Sequence, residues 1–151
     1  MVVLYVRHLG HWVRTMRISC FALARYAELH EGLLSAQGFG LNRFYWPAFP
    51  ALTPPIFLVL GVDEDSEDAG EWKFRLRQLD ADGKALSRNE GTLTTSAEKP
   101  GLHLIGLQLG FPVPGDYVLV LDVAPPGTEA WAKAASKSFK AGLPPGKESF
   151  V

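Results

Sequence analysis

Six carboxylates crowd one short stretch. Asp63, Glu64, Asp65, Glu67, Asp68 and Glu71 fall within nine residues that contain no base. Calcium is held by several oxygen ligands, mostly carboxylates and carbonyls gathered at one loop. Domains of the C2 type place such loops at one end of a β-sandwich. The run does not follow EF-hand spacing, for it has no glycine at the sixth loop position and no closing glutamate at the twelfth. Asp80 and Asp82 could supply acids from a second loop, although one strand's length of sequence lies between. The calcium candidates are therefore Asp63, Asp65, Asp68, Asp80 and Asp82. The competing reading, which the spacing favours, is a solvated hairpin tip that holds no ion.

Other chemistry finds less to work with. No Gly-x-Ser-x-Gly elbow occurs, so Ser, His and acid residues lack a frame for nucleophilic attack. His30 stands in turn-like text. His103 lies between Leu102 and Leu104, and a strand pleat would send it away from both, toward solvent. Gly38-Phe39-Gly40 lacks the third glycine and the following helix of a phosphate-binding loop. His8 and His11 would share a face only on a helix, with no further zinc ligands nearby. No catalytic residue, metal ligand or cofactor motif is assigned, and an enzyme is not expected.

Asn42, Arg43, Tyr45 and Trp46 make a polar and aromatic cluster beside a proline-rich loop. Arg, Tyr and Trp are enriched at the anchors of protein interfaces, so Arg43, Tyr45 and Trp46 are the candidate contact residues. The same types also suit a stacking platform for single-stranded nucleic acid. In the plainer reading Phe44 and Trp46 alternate inward and plug the end of the core, leaving Arg43 and Tyr45 exposed.

The elements that would position these residues read as strands. Apolar residues are 47% of the chain, enough for a core, and 15 Gly with 11 Pro punctuate it into short pieces. Ile18 to Ala24 is apolar on both faces, as an interior strand would be. Ile56 to Val62 is the strongest strand. Trp72, Phe74 and Leu76 alternate with Lys73, Arg75 and Arg77, and Asp80-Ala81-Asp82-Gly83 turns the chain into a polar, edge-like strand from Ala85 to Thr95. Leu102 to Leu109 and Tyr117 to Val123 supply two more. Pro114-Gly115-Asp116-Tyr117 is text found late in immunoglobulin-like sandwiches. Ala130 to Ala135 is ambiguous between helix and strand, and Ser138-Phe139 could form a last edge strand. The expectation is an all-β fold: a single-domain antiparallel β-sandwich, immunoglobulin-like or C2-like, of seven or eight strands. It would span residues 16–140, preceded by a 1–15 extension without fixed order or with a mis-assigned start, and followed by a flexible 141–151 tail.

The 15 basic and 16 acidic residues nearly cancel. That balance excludes phosphate binding by bulk electrostatics, so nucleic acid is not the expected partner. The first apolar run stops at Arg7, too short for a signal core or a membrane span. The lone Cys20 allows no intrachain disulfide. A cytoplasmic, non-enzymatic module with a protein partner or self-association is the leading reading, and a calcium- or small-ligand-binding sandwich is the alternative.

The order of short motifs also carries a resemblance. Glu31-Gly32-Leu33-Leu34, Gly38-Phe39-Gly40 and Pro47-Ala48-Phe49-Pro50 are followed by Leu76-Arg77-Gln78-Leu79-Asp80-Ala81-Asp82-Gly83, Pro100-Gly101-Leu102 and Pro114-Gly115-Asp116-Tyr117. Over residues 16–123 this resembles an uncharacterised bacterial family, domain of unknown function 6941. Phe39 and Leu33 depart from that pattern, which more often has glycine and lysine there. The resemblance implies a compact β-sandwich and a domain start near Met16, and it implies no activity.

Overall fold

Among the described residues, alternation along the chain produces strands and no helix. The computed structural model describes residues 4–8, 11–63, 70–95 and 101–145, with side chains from Met16 onward. The strands are β1 (Leu4–His8), β2 (His11–Thr15), β3 (Ile18–Ala24), β4 (Tyr26–His30), β5 (Leu33–Gln37), β6 (Arg43–Tyr45) and β7 (Ala51–Leu52), followed by β8 (Ile56–Val62), β9 (Gly70–Leu79), β10 (Ala85–Thr95), β11 (Leu102–Leu107), β12 (Gly110–Phe111), β13 (Gly115–Ala124) and β14 (Ala132–Gly142). Among the described residues there is no helix long and apolar enough to cross a membrane.

Two sheets hold the core. One runs β11-β8-β3, and the other β10-β9-β13-β14-β6. Every pairing is antiparallel except β14 with β6, which is parallel. From β8 onward the chain visits the sheets as strands B, C, C′, E, F and G of an immunoglobulin-type sandwich do. Its first strand is split between β3 on one sheet and β6 on the other. The local markers agree with this order. Trp72, on the strand equivalent to C, is 0% exposed. Tyr117 opens the strand equivalent to F, is buried, and donates its hydroxyl to the Val113 carbonyl as a tyrosine corner. Leu119 stands two residues beyond it, where antibody domains carry a disulfide cysteine. Leu119, Leu58, Leu60 and Trp72 belong to one apolar cluster. Packing takes the place of the cross-link.

The outer face of the three-stranded sheet is covered as well. The hairpin β4–β5 turns at Glu31 and Gly32, both at positive φ (51° and 77°), and lies beside β8 and β11. Ala24, Ala27 and Val59 form a second small core there, with Leu34, Phe57, Leu102 and Leu104 packed against it.

That cover reverses one expectation. Because Leu102 and Leu104 face the hairpin, the pleat turns His103 to the side of Leu60, its cross-strand partner in the main core, where it is half-buried rather than pointing freely to solvent. Three further features concern the ends and edges. Before Met16, Leu4–His8 and His11–Thr15 pair antiparallel, with His8 opposite His11, and the backbone of β2 passes beside β13 and β14. β3 is an edge strand rather than an interior one; its Leu23 carbonyl accepts from the N–H groups of Gly40 and Leu41, so a loop covers that edge. The Ala-rich segment, ambiguous between helix and strand in the sequence, is strand from Ala132. β14 runs in register with β13 as far as Ala141, which is only 5% exposed, and extends to Gly142.

The tyrosine corner ties the loop before β13 to the core. Replacing Tyr117 by Phe should lower unfolding free energy by about 1–2 kcal/mol, the cost of stranding a carbonyl that has lost its donor. Urea denaturation should show a lower midpoint with an unchanged slope.

Candidate functional site

β6 is only three residues long, yet it is tightly anchored. Phe44 points into the core and stacks on Trp46 (5.7 Å between ring centres, 13° between planes); both rings touch Phe111, at 5.3 and 5.4 Å. Phe139 meets Phe44 and Phe111 edge-on. Aromatic pairs in such geometries add about 0.5–1.5 kcal/mol beyond area burial. The flanking residues are thereby held on a rigid base: Arg43 is exposed, and Tyr45 is 44% exposed. Trp46 is half-buried and packs against the core.

A cleft of about 330 Å³ opens along this strand. Its walls include Arg25, Arg43, Tyr45, Trp46, Thr53 and Pro54. Thr53 is fully used by the fold, since its Oγ1 accepts from the Leu109 N–H at 3.0 Å and its own N–H donates to the Leu109 carbonyl at 2.9 Å. Arg25 was not foreseen here. It follows β3, eighteen positions before Arg43, and only folding brings the two together. Gly38 makes room for it: at φ +62°, a Cβ on Gly38 would come within 2.9 Å of the Arg25 Cγ. Among the described residues no carboxylate pairs with either guanidinium, and the cleft lining contains no acid. Arg43 also borders a second, more polar hollow with Asp80, Asp116 and Lys140.

Of the calcium candidates, Asp63 is not brought to Asp80 and Asp82. Asp63 follows the end of β8 and precedes β9, whereas Asp80 and Asp82 occupy the turn at the far end of β9. A ten-residue strand is about 30 Å long, so Asp63 and the Asp80 turn cannot share an ion. Asp80 is moreover occupied as a turn former: its Oδ1 accepts from the N–H groups of Asp82 and Lys84, both at 2.9 Å. Asp65 and Asp68 lie outside the described residues. Among the described residues no group of three His, Cys, Asp or Glu gathers.

The outer face of the five-stranded sheet carries a different ionic cluster. Arg75 and Arg77 on β9 each donate Nε to Asp122 Oδ2 at 3.1 Å, and the Asp122 side chain is 6% exposed. The Arg75 guanidinium lies 4.6 Å from the ring centre of Trp131. Beside it, Lys73 pairs with Glu129 and, by hydrogen bond and charge, holds that carboxyl below its usual range. Each charge there has its partner, so this cluster ties β9 to β13 and the β13–β14 connection.

The model of the family of unknown function DUF6941 matches residues 19–132. The chain belongs to this family. No curated protein matches the chain. A solved structure of Parabacteroides merdae β-glucuronidase is similar over 86% of this chain, at 16% identity and a TM-score of 0.41. The chain spans 14% of the length of that enzyme.

Breaking the ionic cluster tests its structural role. Asp122→Ala leaves two guanidinium groups side by side without their shared carboxylate, and should destabilise the fold by about 2–4 kcal/mol. Thermal and urea unfolding measure this directly, and wild-type stability in the variant would reject the assignment.

Proposed function

We propose that this family member is a non-enzymatic binding module that works through protein contacts at the β6 edge. The observation that carries the reading is the pairing of an exposed Arg43 and Tyr45 with an immobile aromatic base. Anchors of protein interfaces combine these features: large side chains, little entropy left to lose, and an apolar setting. The near-neutral net charge of −1 does not favour phosphate-rich partners. A cytoplasmic setting, consistent with the single free Cys20, is part of the same proposal.

Sedimentation at several protein concentrations, combined with affinity capture from native lysate, examines the reading. The wild-type chain should either self-associate or retain a partner. Arg43→Ala with Tyr45→Ala should abolish that association while leaving the melting temperature within a few degrees of wild type, because both side chains are exposed. Finding neither self-association nor a captured partner for the wild type would remove the reading.

A further inference from the structure

One backbone edge of β6 pairs with β14, and among the described residues no strand pairs with the other. Lys140 N–H donates to the Asn42 carbonyl and Trp46 N–H to the Gly142 carbonyl, each at 3.0 Å. In a parallel ladder the residues that bond one neighbour alternate with those that face away. β14 therefore engages the even-numbered residues, and Arg43 and Tyr45 turn their N–H and C=O groups to the opposite side. β6 is the last strand of its sheet. The cleft lined by Arg25, Arg43, Tyr45 and Trp46 runs beside this strand.

Backbone groups left at an edge seek partners. Here they stand next to two guanidinium groups that have no carboxylate partner among the described residues, in a cleft with apolar and aromatic walls from Leu41, Trp46 and Pro54. Arginine recognises carboxylates through charge-assisted, directional hydrogen bonds. Strand addition supplies affinity through main-chain bonds, and pockets for alternate side chains supply selectivity.

We propose that the cleft beside β6 takes an extended acidic segment of a partner protein, which adds as a strand to the Arg43–Tyr45 edge, places carboxylates on Arg25 and Arg43, and lays apolar side chains against Trp46 and Pro54. This rests on the contact reading of the β6 surface and gives its partner a chemistry. Gly38 acts here as a positioning residue, because any side chain at that point would push Arg25 out of the cleft.

The test uses the full chain and labelled peptides of about six residues, the length a short edge strand can pair, with both ends blocked. One peptide alternates Asp or Glu with Leu and Phe; a second replaces each acid by Asn or Gln; a third is a single-stranded oligonucleotide in place of a peptide. Fluorescence anisotropy should show saturable binding of the acidic peptide, about tenfold or more weaker binding of its amide twin, and loss of affinity as salt rises. Arg25→Gln with Arg43→Gln should remove the preference for the acidic peptide. Amide hydrogen exchange at Arg43 and Tyr45 should slow when the acidic peptide binds. The comparison between the two peptides on wild-type protein needs no variant, so a folding defect cannot obscure it. Equal binding of the acidic and amide peptides, no saturable binding of the acidic one, or tighter binding of the oligonucleotide would each overturn the proposal. If a captured partner still depends on Tyr45 while the acidic peptide fails, the contact surface stands and the acidic strand does not.

Discussion

The two sheets are held by interdigitating apolar side chains and by no covalent link. Trp72, Phe74 and Leu76 of β9 face Leu58 and Leu60 of β8, with Leu119 and Leu121 of β13 in the same cluster. Each such side chain, fully buried, contributes about 1.5–3 kcal/mol, against a backbone cost of about 1–2 kcal/mol per ordered residue. Neither Trp72 nor Tyr117 can be spared lightly under that balance. A sandwich of this kind normally gains from a disulfide between its B and F strands, and here the single Cys20 lies on β3, far from forming one. Close packing at the centre therefore decides where every other element sits.

The end of the molecule near β6 depends on that centre. Phe44 enters the core between Phe111 and Phe139, which pins a three-residue strand that β-pairing alone would hold weakly. Because Phe44 points in, the pleat sends Arg43 and Tyr45 out. The same crossing from one sheet to the other makes the β6–β14 pairing parallel and leaves a free edge. The proline-rich stretch that follows cannot donate at Pro47, Pro50, Pro54 or Pro55, so it returns to the other sheet as loop and the short β7 rather than covering that edge. The cleft is a consequence of these two facts.

Much of the strand inventory was legible because a half-buried strand writes its pleat into the chain. Trp72 to Leu76 alternate cleanly, and the polar Ala85 to Thr95 strand does lie at a sheet edge. β14 was only partly legible: Ser138-Phe139 could be read as an edge strand, but Ala, Ser and Lys before it carry no apolar alternation, and the segment becomes a long strand because β13 and β6 on either side offer backbone partners. Gln78 continues the inward side of β9 and is buried, its Nε2 donating to the Gly110 carbonyl at 2.8 Å. His103 shows the same limit from the other direction. Alternation tells which residues share a face, but the covering hairpin decides which face is wet.

Fold class, family, the turn at Asp80 to Gly83 and the grouping of Arg43, Tyr45 and Trp46 were all readable from the chain, since pleat, turn and motif order are written along it. Tertiary structure alone decided that Arg25 joins Arg43 across one cleft, that Asp122 is shared by Arg75 and Arg77, and that the acids at Asp63 and Asp80 stand at opposite ends of β9. The physical reason is the same in each case. Spacing along a strand fixes direction and face, whereas proximity between strands depends on which sheet each one joins, and that is settled by the packing of the whole core.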